Sequence, residues 1–561
     1  MADTNKKQTF LHGAALLVIA TAVVKLIGAF YKIPLRAIID DEGYSYFSTA
    51  YDIYSVLLLI STAGLPVAMS RMISNASTLG SYNQVRRIYK SAQLIFLALG
   101  VASSLFMILG CRWLANRLEQ PDAWTAILCL GPCALLMGFI STFRGYFQGQ
   151  GNMRPTSVSQ VVEAAFRMVV GLAAAYLLMK LTNSFAMAAA GAILGVTASC
   201  VISSLYLHRQ FRQDYRQMPE TEDVPSGFRA TVKELLSIAI PITIGAAGLQ
   251  LISLAESGLY MNRLVHLVET DRYAPTLIAL LKEDILAANP LVTAQDLPYR
   301  VAASIKGVYN FAQTIFNMPC AFIVPIAISV IPAITSQITL GNHAAVRETE
   351  ESAARITGLI SLPCSVGLLV LAKPVMALLG GYTGEKLDLA ASLMAALGIC
   401  IFLYAIIQYT TALLQAHGYA HVPVINMLSC GMVKLGVVYI LVGNPNLGIL
   451  GAPIGAILSY VAIATLNLLL IRKLVPQKPA LLANLLRALL PAALMGAAVY
   501  GSYRGLVLLL GETGSRVILC GAPVIVGVVV YCVAAVLFKA ITAEDCKLLP
   551  KGDKIAKLLR L

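Results

Sequence analysis

The chain contains about fourteen apolar runs, each long enough to cross a lipid bilayer as a helix. Only short polar segments separate them, and the longest of these are 209–233 and 259–302. Backbone polar groups in lipid must bond within their own helix, so a chain of this kind can fold only as a bundle of membrane helices. We predict an all-α integral membrane protein with about fourteen transmembrane helices. The predicted spans are 10–31, 46–70, 88–110, 123–147, 157–179, 185–208, 234–258, 303–334, 355–372, 390–415, 423–443, 448–471, 482–503 and 516–538.

Composition and motifs narrow the functional class further. The chain is 58% hydrophobic and only 12% charged, which is not the composition of a soluble domain. It has no GxxxxGK[ST], HExxH or GxSxG motif, and its polar segments are too short for a nucleotide-binding domain. The eleven cysteines form no CxxC pair. We therefore expect a protein that is not an enzyme and that has neither a cofactor nor a metal site.

The net charge of +14 has a distribution typical of membrane topology rather than of nucleic-acid binding. Lys and Arg are concentrated in alternate loops, beginning with the N-terminus, whereas the other loops are balanced. The positive-inside rule then predicts a multi-pass membrane protein with both termini in the cytoplasm. The clearest inside clusters are Arg86-Arg87-Lys90, Arg209-Arg212-Arg216 and Lys547, Lys551, Lys554, Lys557 and Arg560.

An internal repeat is visible in the sequence. Pro66-Val67-Ala68-Met69-Ser70 recurs as Pro325-Ile326-Ala327-Ile328-Ser329, and Gln148 precedes Arg167 by the same interval at which Gln415 precedes Lys434. Each half holds six predicted helices, an even number, so the halves are parallel repeats related by a pseudo-twofold along the membrane normal. The predicted domains are a six-helix lobe (1–210), a cytoplasmic linker (211–233), a second six-helix lobe (234–475) with external loop 259–302, two additional helices (476–540) and a basic cytoplasmic tail (541–561).

Ionisable and polar side chains interrupt these apolar runs at helical spacing. Charges at mid-membrane cost roughly 2.5–3.5 kcal/mol on insertion scales, so they usually face a hydrated pathway or a partner charge. Positions i, i+4, i+7 and i+11 share one face of a helix, which predicts polar stripes facing a common cavity. The candidate substrate-binding residues are Lys25, Lys32, Arg36, Arg167, Lys306, Asn310, Gln313 and Lys434, and the candidate ion-coupling residues are Asp52, Glu163 and Glu256.

Structural roles compete with these functional ones. Lys32 and Arg36 could extend to the outer interface, and Pro34 between them could kink the helix. Glu163 and Arg167 are spaced as a helical ion pair. Lys306 and its stripe could join helices, Asp52 could belong to an internal hydrogen-bond network, and Glu256 could pair with Arg263. Because the cavity candidates are more basic than acidic, we expect an anionic ligand, for which a diphosphate is suitable.

Several segments resemble a known family. They are Lys25-Leu26-Ile27-Gly28-Ala29-Phe30-Tyr31-Lys32-Ile33-Pro34-Leu35, Asp41-Glu42-Gly43, Ser61-Thr62-Ala63-Gly64-Leu65-Pro66-Val67-Ala68, Arg144-Gly145-Tyr146-Phe147-Gln148-Gly149, Leu362-Pro363-Cys364-Ser365-Val366-Gly367-Leu368-Leu369-Val370-Leu371 and Pro423-Val424-Ile425-Asn426. The chain resembles the stage V sporulation protein B group of polysaccharide-biosynthesis flippases. That group belongs to the multidrug/oligosaccharidyl-lipid/polysaccharide exporter superfamily and is related to the lipid II flippase.

The resemblance implies two six-helix lobes, two extra helices and a central cavity that alternates between the membrane faces. The implied substrate is an undecaprenyl-diphosphate-linked saccharide, and the implied roles are in cell-wall, sporulation or polysaccharide synthesis. Lys25 and Lys32 match the basic residues of the first helix in the lipid II branch. The tandem arginines of that branch are replaced here by Leu57-Leu58-Leu59, so the sporulation-type branch is the nearer match.

The resemblance also sets expectations for location, partners and coupling. It implies that the protein lies in the bacterial cell membrane. We expect the protein to contact the lipid-linked glycan and membrane lipids but no nucleic acid. We expect a monomer, with cell-wall synthesis proteins as candidate partners, and coupling to sodium, protons or membrane potential.

Three other functions compete. A drug/cation antiporter of the same superfamily predicts an acidic cavity, and a glycan polymerase or ligase predicts catalytic acids in a large external loop. The external loop 259–302 does contain acidic residues. However, it also contains Leu277, Ile278, Leu280 and Leu281, which are typical of an interfacial amphipathic helix. A membrane scaffold without transport activity is the third alternative.

Overall fold

Helices form almost all of the described part of the chain. The computed structural model describes residues 2–62, 64–288, 292–511 and 514–540, and that part contains α-helices and short 3₁₀ turns but no β-strand. The predicted all-α class is therefore confirmed, whereas the predicted tail at 541–561 lies outside the described residues. In chain order the α-helices are α1 (Ala2–Thr62), α2 (Leu65–Thr78), α3 (Tyr82–Arg117), α4 (Trp124–Gly149), α5 (Arg154–Thr182), α6 (Phe185–Arg216), α7 (Phe228–Glu269), α8 (Pro275–Ala288), α9 (Leu297–Thr339), α10 (His343–Val370), α11 (Ala372–Leu379), α12 (Gly384–Ala416), α13 (His421–Val442), α14 (Gly451–Leu474), α15 (Leu481–Leu485), α16 (Leu489–Leu510) and α17 (Arg516–Leu537).

Twelve stretches of the described chain are long and apolar enough to cross a membrane. The predicted count of fourteen is not confirmed. The predicted spans 10–31 and 46–70 fall largely in one helix, α1, and the stretch Val23–Thr78 counts as a single candidate. The predicted amphipathic segment is helix α8, which buries Leu277, Ile278 and Leu281 and leaves Leu280 exposed.

Helix α1 is broken at Asp40, whose backbone is non-helical with φ 52°. The break lies six residues after Pro34, which is inside the helix. The Asp40 carboxylate accepts the backbone N–H of Asp41 at 2.8 Å and so supports the start of the second half of the helix. The chain is therefore helical on both sides of the break, in a segment that lies between two predicted spans, because its charges find partners.

The chain divides into two compact units. The first unit comprises Met1–Glu269 and Leu281–Asn310, and the second comprises Thr270–Leu280 and Phe311–Leu561. Helix α7 and the N-terminal part of α9 thus belong to the first unit. The residues of α9 from Phe311 onwards belong to the second.

The internal repeat extends to the turns that start corresponding helices. Gly80 and Gly341 lie just before α3 and α10, and both have left-handed backbones, with φ of 71° and 68°. Gly151 and Gly418 lie just before α5 and α13 and have φ of 76° and 86°. The space around all four is open, so the backbone conformation alone requires glycine there.

The segment between α6 and α7 is attached to the start of α3. The Asp223 carboxylate accepts the backbone N–H groups of Asn83 at 3.1 Å and Gln84 at 3.0 Å, and also the Thr221 hydroxyl. The Asn83 amide in turn donates to the carbonyl oxygens of Thr221 and Asp223. Ser81, at the N-cap position, makes no side-chain capping bond, so Asp223 supplies the anionic cap from a distant segment.

This cap should depend on pH. Desolvation acts to raise the pKa of Asp223, but the hydrogen bonds from Thr221, Asn83 and Gln84 outweigh it and lower the pKa below its usual value. A lowered folded-state pKa means that the cap is fully formed above the unfolded value and is lost as pH falls through the folded one. We expect Asp223→Asn to accelerate hydrogen exchange at Asn83 and Gln84 at neutral pH. Glu222→Gln is the matched control, and equal exchange in the two variants would contradict the cap.

Candidate functional site

Four charged residues from α1, α7 and α9 form what we call the lysine cluster: Lys32, Asp52, Glu256 and Lys306. Asp52 accepts a hydrogen bond from Ser257 and lies close enough to Lys32, Lys306 and Glu256 to interact electrostatically. All these residues belong to the first unit. The structure therefore brings together two predicted substrate-binding residues and two predicted coupling residues.

Lys306 is the most buried cation of the cluster, with 0% of its surface exposed. Its Nζ donates to Thr49 Oγ1 at 2.7 Å and lies 5.6 Å from the centre of the Tyr260 ring. The hydroxyl oxygen and the aromatic face partly replace the water that an ammonium group loses on burial. This lysine is thus held rigidly beside Asp52.

A chain of buried hydrogen bonds extends from Lys306. Thr49 donates to Gln120 Oε1 at 2.7 Å, and Gln120 Nε2 donates to Ser45 Oγ at 2.7 Å. Thr49, Ser45 and Gln120 are each at most 1% exposed. The chain fixes the orientation of the Thr49 hydroxyl, so its oxygen faces the lysine.

The closeness of α9 to α1 depends on Gly307. A Cβ added there would lie 1.9 Å from the carbonyl oxygen of Asp41. Real Cβ atoms do not approach backbone so closely, so any larger residue would force the two helices apart. The neighbouring Lys306 reaches Thr49 because glycine permits this contact.

Gly307→Ala should therefore separate α9 from α1 and break the Lys306–Thr49 hydrogen bond. We expect a loss of about 1–3 kcal/mol in stability, as for overpacked cores. Thermal unfolding of the purified protein measures it. Gly505→Ala in α16 is the matched control, because nothing beyond the adjacent backbone of its own helix lies within 4 Å of the added Cβ among the described residues. Equal stability of the two variants would show that the contact is not tight.

A second group, the arginine cluster, consists of Arg144, Glu163, Arg167 and Tyr51. Glu163 Oε1 lies 2.5 Å from Arg167 Nη2, and its Oε2 lies 3.0 Å from Arg144 Nη2. Arg167 Nη1 also donates to the Tyr51 hydroxyl at 3.0 Å. The predicted Glu163–Arg167 ion pair exists, and one carboxylate serves two arginines. Arg167 also lies near enough to Lys32 for the two positive charges to repel each other, so the two clusters are neighbours.

Further charges follow the break in α1. Arg36 donates to both oxygens of Asp41, at 2.9 Å each, in a bidentate pair. Arg300 lies 3.5 Å from Glu42 Oε1 and 3.0 Å from Asp122 Oδ2. Glu42, Asp122 and Arg300 line a cavity of about 90 Å³.

Some of these charged residues are not among the site residues predicted from the sequence. Arg144, Asp41 and Glu42 lie in segments that carry the family resemblance, which was the only available signal for them. Nothing in the sequence pairs Arg300 with Glu42, because the partners lie far apart in the chain.

The remaining predicted site residues are more dispersed. Lys25 is exposed and makes no hydrogen bond or ion pair with any residue the structure describes. Asn310 is buried at the end of the first unit. Gln313 and Lys434 belong to the second unit, where both are half-buried, and Lys434 interacts electrostatically with Cys400. Within the described residues, no group of His, Cys, Asp and Glu could hold a metal ion.

Comparison with known proteins identifies the family. A sequence profile described as "Polysaccharide biosynthesis protein" matches residues 10–337, more than half of the chain. The chain belongs to this family. A profile of the lipid II flippase MurJ matches residues 285–511.

Three relatives in Bacillus subtilis (strain 168) are similar to this member of the polysaccharide biosynthesis family over most of their length. An uncharacterised membrane protein, YabM, is 26% identical and covers 99% of this chain and 97% of its own. Stage V sporulation protein B is 25% identical, and the match covers 84% of this chain and 85% of that protein. The lipid II flippase MurJ is 23% identical and covers 82% of each chain.

Solved structures establish the family member's fold. The lipid II flippase MurJ in an inward closed conformation has a TM-score of 0.64 at 13% identity, covering 93% of this chain and 98% of its own. An inward-facing multidrug resistance MATE family transporter of the MOP superfamily has a TM-score of 0.58 at 16% identity. The match covers 81% of this chain and 97% of the transporter. The chain is a multi-pass membrane protein with the fold of this superfamily. Among these proteins MurJ is named as a flippase and the MATE neighbour as a transporter.

Proposed function

We propose that this protein is a flippase for an undecaprenyl-diphosphate-linked saccharide, such as a lipid II-like cell-wall precursor or another polysaccharide unit. It moves this lipid from the inner to the outer leaflet by alternating access. The buried lysine cluster carries the proposal. A fully buried ammonium group, with a second lysine nearby, supplies the positive charge that a diphosphate requires in a low-dielectric interior.

In this proposal Lys32 and Lys306 bind the diphosphate, and Lys25, exposed on the same helix as Lys32, attracts it. Arg36, Arg167, Asn310, Gln313 and Lys434 are further candidate contacts. Arg36 and Arg167 already have carboxylate partners, so their role is the weaker one. The substrate phosphates compete with Asp52 for the lysines.

Resetting the transporter requires a coupling step. Asp52 and Glu256 lie close together, and two neighbouring carboxylates favour uptake of a proton or a cation. We assign the coupling to this pair rather than to Glu163, because two arginines already neutralise Glu163. Membrane potential, sodium or protons would then drive the return of the empty carrier.

The proposed orientation places both termini in the cytoplasm. Single cysteines at Gln217 and Asn342 should be protected from an impermeant thiol reagent added to intact cells, whereas cysteines at Gln295 and Thr383 should react. The reason is the excess of Lys and Arg in alternate loops. Labelling with the opposite pattern at all four positions would overturn the orientation and reverse the transport direction.

Depletion of the protein followed by profiling of lipid-linked precursors tests the function in cells. We expect one class of polyprenyl-diphosphate saccharide to accumulate in the inner leaflet. A glycan polymerase or ligase would instead lose a polymerised product while its precursor still reached the outer leaflet. A drug/cation antiporter would leave both unchanged and sensitise the cells to cationic dyes.

A further inference from the structure

An apolar cleft lies in the second unit beside the C-terminal half of α14. It has a volume of about 630 Å³ and is lined by α12, α14 and residues 478–483. Ile406, Ala464 and Leu468 are among its apolar residues. The exposed side chains of Val461, Leu469 and Leu482 leave it accessible from the surface.

The cleft wall is about as long as one leaflet of a bilayer is thick. The lining residues on α14 run from Val461 to Arg472, which corresponds to about 16 Å along the helix at 1.5 Å per residue. Half of a hydrocarbon core is about 15 Å. An acyl chain entering from the end of α14 would therefore be covered over its full depth.

Two cations line this cleft where α14 ends. Arg472 lies in the last turn of α14, and Lys478 lies in the segment that follows. Both are exposed, and neither side chain has a hydrogen bond or an ion pair among the residues that the structure describes. Arg472 complements the helix dipole, but Lys478 lies outside the helix. Its φ of 45° is an unusual backbone conformation for a residue other than glycine.

We propose that this cleft binds an anionic phospholipid, with its phosphate at Arg472 and Lys478 and an acyl chain along α14. Basic pockets between membrane helices are recognised sites for anionic head groups. A zwitterionic lipid would fill the same space but gain less from the two cations. The chain's own segment 541–561 is a poor occupant, because it carries five Lys and Arg residues between Lys547 and Arg560 and would be repelled.

Native mass spectrometry of the purified full chain tests the site. The protein is released from nanodiscs containing equal amounts of phosphatidylglycerol and phosphatidylcholine, and the retained lipids are counted. The wild type should retain one phosphatidylglycerol in preference. Arg472→Gln/Lys478→Gln should reduce that preference about thirtyfold, from roughly 1 kcal/mol for each cation near a membrane surface.

Two further variants make the test specific. Arg209→Gln/Arg212→Gln removes two exposed arginines at the end of α6 whose side chains have no partner in the described part of the chain, and it should leave the preference unchanged. Thr465→Trp fills the cleft from an exposed position while keeping both cations, and it should expel the lipid. Free inorganic phosphate should not compete.

Three outcomes would overturn the proposal. They are unchanged retention in Arg472→Gln/Lys478→Gln, an equal loss in the α6 control, and displacement of phosphatidylglycerol by a stoichiometric amount of polyprenyl diphosphate. Because the readout is lipid retention and not flipping, the result does not depend on the proposed transport function.

Discussion

Replacing Lys306 with methionine should destabilise the protein strongly and abolish transport. The substitution removes a fully buried ammonium group and leaves Asp52 and Glu256 close together with less positive charge nearby. Removing one partner of a buried charged pair typically costs about 3–5 kcal/mol. Thermal unfolding in detergent and a flipping assay in liposomes measure the two effects separately.

Two comparisons distinguish stability from function. Lys306→Met/Asp52→Asn removes charges of both signs, so most of the stability should return while transport remains absent. Lys25→Met, at an exposed lysine with no partner among the described residues, should unfold like the wild type and yet transport poorly if Lys25 attracts the substrate. Normal flipping by the Lys306 and Lys25 variants would remove both residues from the proposed site.

Replacing Glu163 with glutamine should be the second most damaging change. Arg144, Glu163 and Arg167 have side chains that are only 13%, 10% and 22% exposed. Without Glu163 two poorly solvated arginines lose their shared counter-charge, which we expect to cost about 3 kcal/mol. Arg167→Ala should destabilise the protein less than Glu163→Gln, since Glu163 then keeps Arg144 as its partner.

The double variant Glu163→Ala/Arg167→Ala tests whether Arg144 belongs to the arginine cluster. If Glu163 and Arg167 formed an isolated pair, Glu163→Ala would rescue Arg167→Ala. We expect no rescue, because Arg144 remains without its carboxylate. A double variant that is more stable than Arg167→Ala would contradict the three-residue arrangement.

Much of the helical architecture could be predicted because hydrophobic run length is a local property. Predicted spans such as 423–443 and 516–538 end within a few residues of α13 and α17. The first two predicted spans lie largely on the two sides of the break at Asp40, but the segment between them is helical except at that break, for a tertiary reason. Asp41 and Glu42 resemble loop residues in sequence, but Arg36 and Arg300 allow them to be buried at the start of the second half of α1.

The site was predictable only within single helices. Spacing placed Glu163 one turn from Arg167, and the ion pair exists. Spacing could not show that Arg144, from α4, binds the same carboxylate, or that Lys306 of α9 reaches Thr49 of α1. These contacts depend on helix packing, and the second depends on one glycine, Gly307.

Flipping by purified protein in liposomes tests the central claim most directly. A labelled polyprenyl-diphosphate saccharide is placed in one leaflet, and an enzyme that acts on it is supplied only on the opposite side. Liposomes with the wild type should expose the lipid faster than empty liposomes or those with Lys306→Met/Asp52→Asn, and dissipating the ion gradient or the potential should slow net export. Flipping equal to that of empty liposomes, together with export of a cationic dye against its gradient, would contradict the flippase and favour a drug/cation antiporter.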